Sequence, residues 1–221
     1  MRRRRFVTTA GIVGVSALAG CVSEDGNGDN GGTSQPPDER IDEPPHDPER
    51  PPVPNDEDDW NDHWLGEGMA TEPSLPFESV RAELVDPKLG GPPPHPNSEF
   101  VATLATSDEE LESLIDLEDA PEQLQTVDFA EELVIVVESG YGSSSLQHVW
   151  QRVEDIDSGV YLHGYYLSPY IRTDDISPRH SVVVVETPAE EGDIAHVSLT
   201  TGEDTRVNFD SSEGVVSISR D

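Results

Sequence analysis

The sequence predicts a mainly β fold with one short helix (α+β), built as a single β-sandwich or rolled-sheet domain behind a signal peptide and a disordered linker. Residues 133–137 and 182–185 are two short apolar runs without alternation, which is typical of strands covered on both faces. Further segments of strand composition follow one another between Gly-, Ser- and Asp-rich turns. Only residues 107–115 combine a helix cap with helical spacing, so the domain of residues 66–221 is predicted to be β-rich.

The first 20 residues have the organisation of an export signal. Four consecutive arginines lead into an apolar run over residues 6–19. That run is shorter than the roughly 20 residues needed to span a bilayer, and Gly11, Gly14 and Ser16 interrupt it. We therefore predict that residues 1–20 are a signal peptide. The alternative is an uncleaved anchor helix.

The end of this signal predicts a lipid attachment site. Small residues stand directly before the only cysteine of the chain, an arrangement that resembles the lipobox of secreted lipoproteins. The basic head resembles the twin-arginine export motif, with Arg2 where a Ser or Thr is usual. The cysteine then carries a lipid, and the alternative is a buried cysteine in an ordinary core. The residues that carry the two motifs are Arg3, Arg4, Phe6, Leu18, Ala19, Gly20 and Cys21.

Residues 21–65 are predicted to be a disordered linker. The segment is rich first in Gly, Asn and Asp and then in Pro, and it cannot bury enough apolar surface to offset its ordering entropy. Trp60 and Trp64 stand among acids and His63 near its end. Either the carboxylates and His63 form a calcium or zinc site, or the segment is a solvated acidic turn whose tryptophans dock on the domain.

The charge of the chain restricts its partners. Its formal net charge is −33, with 46 acidic residues, and Lys88 is its only lysine. This scattered acidity resembles proteins of salt-loving organisms, and with the export signal it looks haloarchaeal. The alternative is an acidic protein that binds cations or basic partners. Nucleic acid is excluded as a partner because its phosphates would be repelled.

Helix caps, prolines and turn residues predict the order of the elements in the domain. Ser107 and Glu110 form a capping box for a helix that carries Leu111 and Leu114, and Pro121 stops or restarts it. Turns are predicted at residues 139–145 and 155–159. The predicted strands are residues 79–85, 100–105, 133–137, 146–153, 160–167, 180–185, 195–200, 206–209 and 215–219.

Residues 100–188 resemble the PrcB C-terminal domain family, which is found in secreted and lipid-anchored proteins. The matching order is the helix start at residues 107–111, residues 127–132, the 133–137 strand, a Gly/Ser turn, two strands, Ser168-Pro169, and a second apolar strand ending near residues 186–188. The family takes its name from a subunit that supports a protease complex. The resemblance implies a supporting role with no catalytic residues.

Candidate chemistry in the domain is sparse. Residues 143–145 are three serines but lack the closing glycine of a Gly-x-Ser-x-Gly elbow. His148, His163 and His180 lie on separate predicted strands and either converge in a catalytic or metal site or are satisfied singly. Glu138 is expected to be a solvated strand end.

Tyrosines near Gly164 and Pro169 are the candidate binding patch. Tyr165, Tyr166 and Tyr170 could be presented by a loop, where amphipathic rings favour recognition, or they could fill the core.

The sequence as a whole predicts a lipid-anchored protein on the extracytoplasmic face of the cell membrane, with no enzymatic activity and no cofactor. Its partners are the membrane, through Cys21, and an extracellular protein that it binds or scaffolds. The alternatives are a solute- or ion-binding lipoprotein and a hydrolase.

Overall fold

Ten strands over the described residues form two five-stranded sheets in the computed structural model. The structure describes residues 39–44, 69–89, 99–167, 169, 172–188, 192–202 and 204–218, all within the compact unit Gly32–Asp221. The strands are β1 (Ile41–Asp42), β2 (Phe77–Val80), β3 (Glu99–Ala105), β4 (Glu132–Gly142), β5 (Gln147–Ile156), β6 (Gly159–Leu167), β7 (Ser177–Glu186), β8 (Ile194–Gly202), β9 (Thr205–Asp210) and β10 (Val216–Ser217).

Sheet I has the order β1-β9-β8-β6-β5, and sheet II has the order β10-β3-β4-β7-β2. Every pairing is antiparallel except that of β6 with β8. The sheets are not closed into a barrel, and the mainly β prediction is confirmed as an arrangement consistent with a β-sandwich. The main core lies between the two sheets.

Sheet II is buried on both faces, as the unbroken apolar runs predict. Leu133, Ile135 and Val137 of β4 pack in the core against sheet I. Val134 and Val136 point the other way and pack with the helices. Strand β7 pairs with β4 and divides its valines in the same manner, so the absence of alternation in both strands follows from a cover on each side.

Two short helices cover the second face of sheet II. The first, α1 (Asp108–Leu114), begins at Ser107, whose Oγ accepts from the backbone N–H of Glu110. Glu110 reaches back one residue further than the capping box predicts, because its Oε2 accepts from the N–H of Thr106 at 2.8 Å. The second, α2 (Glu122–Gln125), starts directly after Pro121, so this proline restarts the helical path.

Sheet I differs because only one of its faces enters the core. Val160, Leu162 and Tyr166 of β6 point into the core. The intervening Tyr161 and His163 lie on the opposite face, which also carries polar residues of β5, β8 and β9. This division explains why β6 mixes apolar and polar residues whereas β4 does not.

Three predicted boundaries are wrong. The turn expected at residues 139–145 is still strand as far as Gly142, because β4 continues through a bulge between Glu138 and Tyr141 where Gly140 takes a positive φ of 68°. The strand expected at residues 79–85 overlaps β2 only at residues 79–80, and Leu84 makes an isolated bridge to Ile115.

The predicted linker of residues 21–65 contains a short strand. Residues 39–44 lie within the predicted disordered segment, yet Ile41 and Asp42 form β1 at the edge of sheet I against β9. The physical reason is that these residues find specific polar partners on β9, which composition alone does not reveal.

Candidate functional site

The residues predicted for export and lipid attachment lie outside the described residues, as do Trp60 and Trp64. Their prediction therefore stands on the sequence alone. The residues predicted for export and lipid attachment are Arg3, Arg4, Phe6, Leu18, Ala19, Gly20 and Cys21. Over the described part of the chain, no helix is long and apolar enough to cross a membrane.

The structure places two of the three candidate tyrosines inside the protein. Tyr165 is 1% exposed and Tyr166 is 6% exposed, so neither ring is presented at the surface. Tyr165 packs with Met69 and Val149, and Tyr166 belongs to the core between the sheets. Tyr170 lies outside the described residues. The expectation of a displayed patch is therefore corrected for Tyr165 and Tyr166, because β6 extends far enough to hold both in the sheet.

The three candidate histidines have different partners and do not form one cluster. His148 contacts two serines between the sheets. His163 contacts Glu154 on the outer face of sheet I. His180 Nε2 donates to the carbonyl oxygen of Ala82 at 2.8 Å. Each histidine is therefore satisfied singly. Among the described residues, no group of three His, Cys, Asp or Glu could hold a metal ion.

The most connected polar site lies between the two sheets, and we call it the inter-sheet cluster. His148 Nε2 is 2.7 Å from Ser139 Oγ, and His148 Nδ1 is 2.8 Å from Ser181 Oγ. Trp150 Nε1 donates to the same Ser181 Oγ at 3.0 Å. His148 and Trp150 come from β5, while the two serines come from β4 and β7. One imidazole thus joins the two sheets by a hydrogen bond at each nitrogen.

Arg179 completes this cluster from β7. Its Nε and Nη2 donate to the carbonyl oxygen of Ser139 at 3.2 and 3.0 Å, and its guanidinium lies 4.9 Å from the ring centroid of Tyr166. The Tyr166 ring in turn stacks on His148 at 5.7 Å. The positive charge is therefore held against a π face and a carbonyl dipole in the interior.

This geometry resembles a serine–histidine pair, but its energetics suit a structural role. Burial, with the neighbouring Arg179 charge, lowers the pKa of His148 to about 3, which makes the imidazole a weak base at neutral pH. Ser181 offers a neutral hydroxyl where a triad has a carboxylate, so an imidazolium gains little stabilisation there. Ser139 is fully buried, which keeps a substrate carbonyl away from its hydroxyl.

A second polar cluster lies on the outer face of sheet I. His163 Nε2 is 2.8 Å from Glu154 Oε2, and Arg152 Nη2 is 3.2 Å from the other carboxylate oxygen. Burial lowers the pKa of His163, opposed by the hydrogen bond to Glu154. Burial also raises the pKa of Tyr161, whose ring centroid is 4.1 Å from that of His163, to about 12. Burial therefore favours the neutral forms of both His163 and Tyr161.

Three buried polar atoms on this outer face have no hydrogen-bond partner in the described part of the chain. They are Arg152 Nε, Thr200 Oγ1 and Asn208 Oδ1. An unpaired buried polar atom costs about 1–3 kcal/mol. The outer face is thus the least satisfied polar surface that the structure describes.

The three serines of residues 143–145 form a surface hydroxyl cluster. Thr173 Oγ1 lies 2.8, 3.2 and 3.1 Å from the Oγ atoms of Ser143, Ser144 and Ser145. Asp175 accepts from the hydroxyl of Thr173 and from the backbone N–H of Ser144. These hydrogen bonds hold the pKa of the exposed Asp175 carboxyl below its usual range, and the bond from Thr173 has the largest effect. The described partners of these serines include no histidine.

Glu138 is not the solvated strand end that the sequence predicts. Its side chain is 6% exposed, and its two carboxylate oxygens accept from the backbone N–H groups of Lys88 and Leu89 at 3.0 and 3.2 Å. Tyr141 fixes the same loop by donating to the carbonyl oxygen of Leu89. Glu138 therefore anchors residues 88 and 89 to sheet II.

An open groove of about 960 Å³ runs beside the edge strand β2. Its lining is acidic and comes from β2, the turn before β4 and the end of β7. The carboxylates that line it are Glu78, Asp128, Glu131, Glu132 and Glu186.

Comparison with known proteins gives no relative for this chain. No family model, no curated protein and no solved structure matches it. The resemblance to the PrcB C-terminal domain family therefore stays a prediction.

Sequence reasoning missed the serines and the arginine of the inter-sheet cluster. Ser139 follows the 133–137 run by two residues and Ser181 directly precedes the 182–185 run, and both lie on the face of sheet II that points to sheet I. The available signal was the period of two, which places Arg179, Ser181 and Val183 on one face of β7. That signal identifies the face but not the partner, since His148 and Trp150 arrive from the other sheet.

Proposed function

We propose that this protein is a lipid-anchored, extracytoplasmic β-sandwich module that binds or scaffolds another protein and has no catalytic role. One observation carries the proposal: the only cysteine, Cys21, directly follows Leu18-Ala19-Gly20 at the end of a short apolar segment with a basic head. A chain exported and modified in this way would be held at the membrane by lipid. Stable attachment takes two lipid chains, because one binds only marginally.

The non-catalytic part of the proposal is supported by the inter-sheet cluster. Ser139 is buried, His148 is a weak base, and Ser181 offers a hydroxyl where a catalytic triad has a carboxylate. Elsewhere in the described residues, the surface serines of residues 143–145 contact Thr173 and Asp175, not a histidine. These arrangements stabilise the fold without preparing a nucleophile.

Mass spectrometry of the purified N-terminus tests the anchor. We expect residues 1–20 to be absent and the mass of Cys21 to be increased by a two-chain lipid. Cys21→Ser should move the protein from the membrane fraction to the medium, whereas the control Ser23→Ala should leave it on the membrane. Recovery of the native chain from the cytosol with its arginine-rich leader intact would contradict the proposal.

Crosslinking on intact cells tests the binding role. At high salt we expect the wild-type chain to capture a defined extracellular protein, and the released Cys21→Ser variant to lose most of that product because it is no longer confined beside the partner. Capture of no protein other than the chain itself would argue against a scaffold for other proteins.

A further inference from the structure

The edge of sheet I holds a short piece of this chain in the manner of a bound peptide. Strand β1 makes only a two-residue ladder with β9, pairing Ile41 with Val207 and Asp42 with Arg206. The backbone N–H of Asn208 donates to the carbonyl oxygen of Arg40 at 2.9 Å. An edge strand offers such unpaired backbone groups to any extended segment that matches it.

Side chains make this docking specific. Arg206 holds Asp42 through two hydrogen bonds, with its Nε donating to Oδ1 at 2.6 Å. Arg40 donates hydrogen bonds to the Glu213 carboxylate from both terminal nitrogens, with Nη1 donating to Oε2 at 2.9 Å. Forked arginine–carboxylate pairs are directional as well as strong. The edge therefore recognises an arginine followed two residues later by an aspartate.

The side chain of Asn208 also binds the β1 segment through hydrogen bonds. Its amide nitrogen donates to the carbonyl oxygen of Glu39 at 3.0 Å and to Asp42 Oδ1 at 3.2 Å. The contact has little apolar content, since Ile41 is 42% exposed. The docking thus depends on a few polar contacts and can be exchanged without opening the core.

The chain on both sides of β1 is long enough to reach a neighbouring molecule. Residues 22–38 separate the docked segment from Cys21, and residues 45–68 separate it from Met69. A segment of about 24 residues, the length of the second stretch, spans up to about 80 Å when extended. The length of the chain therefore allows β1 to reach the β9 edge of a neighbouring molecule.

We propose that residues 39–42 exchange between neighbouring copies, so that the β9 edge of each molecule binds the Arg-Ile-Asp segment of the other in a two-fold symmetric pair. The inference rests on the proposed function, because confinement by lipid on one membrane is what brings copies together. Exchange conserves every contact and costs only association entropy. Docking within one chain competes at an effective concentration of about 1 mM, which crowding on a membrane can match.

A charge swap distinguishes docking within a chain from docking between chains. In the full chain, Arg40→Glu places two carboxylates together, and Glu213→Arg places two guanidinium groups together, so each variant alone opposes its own β1 docking. Mixed in equal amounts, each variant supplies the charge that the other needs, and docking becomes favourable only between molecules. The double variant, R40E with E213R, restores the complementary pair both within one chain and between two, as in the wild type, and is the matched control.

Sedimentation and hydrogen exchange report the outcome. We expect each single variant to sediment as one copy, with the Asn208 amide exchanging at least about 10-fold faster than in the wild type. The equimolar mixture should sediment with twice the mass of one copy and regain slow Asn208 exchange. The double variant should show slow Asn208 exchange and the same mass as the wild type at the same concentration, because it restores the wild-type complementarity.

The proposal is overturned if the mixture keeps the mass of one copy and fast Asn208 exchange up to about 1 mM of each variant, the concentration at which docking between chains should compete. If circular dichroism shows that Glu213→Arg does not fold, Asp42→Arg paired with Arg206→Asp tests the same edge with the same expected results. Both tests are made in solution and do not depend on Cys21, so their failure is distinguishable from failure of the lipid anchor.

Discussion

Ser181 is the residue on which the inter-sheet cluster depends most directly. Its single hydroxyl accepts from Trp150 Nε1 and contacts His148 Nδ1, so two side chains of sheet I find their partner in one atom of sheet II. Buried polar groups of this kind stabilise little when paired but cost the full desolvation penalty when left unpaired.

Ser181→Ala should therefore lower the free energy of unfolding by about 1–3 kcal/mol, because it leaves the indole N–H and one imidazole nitrogen without a partner. Ser79→Ala is the control, since Ser79 is an exposed strand serine, and it should change stability by no more than about 0.5 kcal/mol. Denaturant unfolding at high salt measures both. Equal effects of the two substitutions would contradict the role given to Ser181.

His148 gives the protein a predictable loss of stability in weak acid. Its pKa is lowered from 6.5 to about 3 in the folded protein, so below pH 6.5 the unfolded chain binds a proton that the folded chain does not. The stabilisation is complete above pH 6.5 and is lost as the pH falls toward 3. Between pH 6.5 and 5 the free energy of unfolding should fall by about 2 kcal/mol because of His148.

The variant His148→Gln should have a shallower dependence of unfolding free energy on pH across that window. The wild-type curve also contains His163 and His196, whose pKa values are lowered by burial, so the difference between wild type and variant is the quantity to measure. Parallel curves for the two proteins from pH 7 to 5 would show that His148 is not the group responsible.

At the scale of elements, the pairing of β5 with β6 depends on a glycine beneath a tryptophan. Gly164 lies directly opposite Trp150 in the ladder, and a Cβ at position 164 would lie 2.4 Å from Trp150 Cε3 and 2.4 Å from the carbonyl oxygen of Val149. The indole therefore covers the glycine, and this contact brings Trp150 Nε1 to Ser181.

Gly164→Ala should destabilise the protein by about 1–3 kcal/mol, because the added methyl group overpacks the core and displaces the indole. Gly202→Ala is a matched control in a strand of the same sheet, where a Cβ would meet nothing within 4 Å. We expect no loss beyond about 0.5 kcal/mol for the control. Near-ultraviolet circular dichroism should show a changed tryptophan signal only for Gly164→Ala, and an unchanged signal would refute the contact.

Local sequence patterns identify some elements of this fold correctly and misplace others. The apolar runs at residues 133–137 and 182–185 identify strands because both faces are covered, and Ser107 identifies the start of α1 because its oxygen caps the helix. The turn predicted at residues 139–145 is wrong over residues 139–142, because Gly140 lies in a bulge of β4 and glycine has the same local preference in a bulge as in a turn.

At the scale of the whole molecule, net charge is the dominant property. A chain with a formal charge of −33 repels itself at low ionic strength, which destabilises the compact state. Salt shortens the screening length from about 10 Å at 0.1 M to about 3 Å at 1 M. The dispersed carboxylates of the sandwich should then lose most of their mutual repulsion.

We therefore expect the melting temperature to rise steeply with KCl, and native circular dichroism to require molar salt. Each kilocalorie per mole of relieved repulsion should raise the melting temperature by about 2–4 °C for a chain of this size. Sucrose at matched water activity is the control, because it stabilises burial without screening charge. A fully native spectrum and an unchanged melting temperature in dilute buffer would contradict this expectation.

The sites were less predictable than the fold. The sequence identifies Cys21 as the candidate for lipid attachment because that motif is contiguous, and no folding is needed to assemble it. It marks the three candidate histidines but not their partners, since Ser139, Ser181, Glu154 and Ala82 are distant from them in the chain or lie on other strands. Residues 39–44 look like linker because their composition conceals the pairing of Asp42 with Arg206, 164 positions away.

The β-rich class, the two doubly covered strands and the capped helix are predictable from the sequence, because they follow from local periodicity and from side chains that bond within a few residues. The burial of Tyr165 and Tyr166, the position of His148 between the two sheets and the edge strand within the linker are visible only in the folded chain. These features depend on which strands lie side by side, and strand order is set by packing over the whole chain.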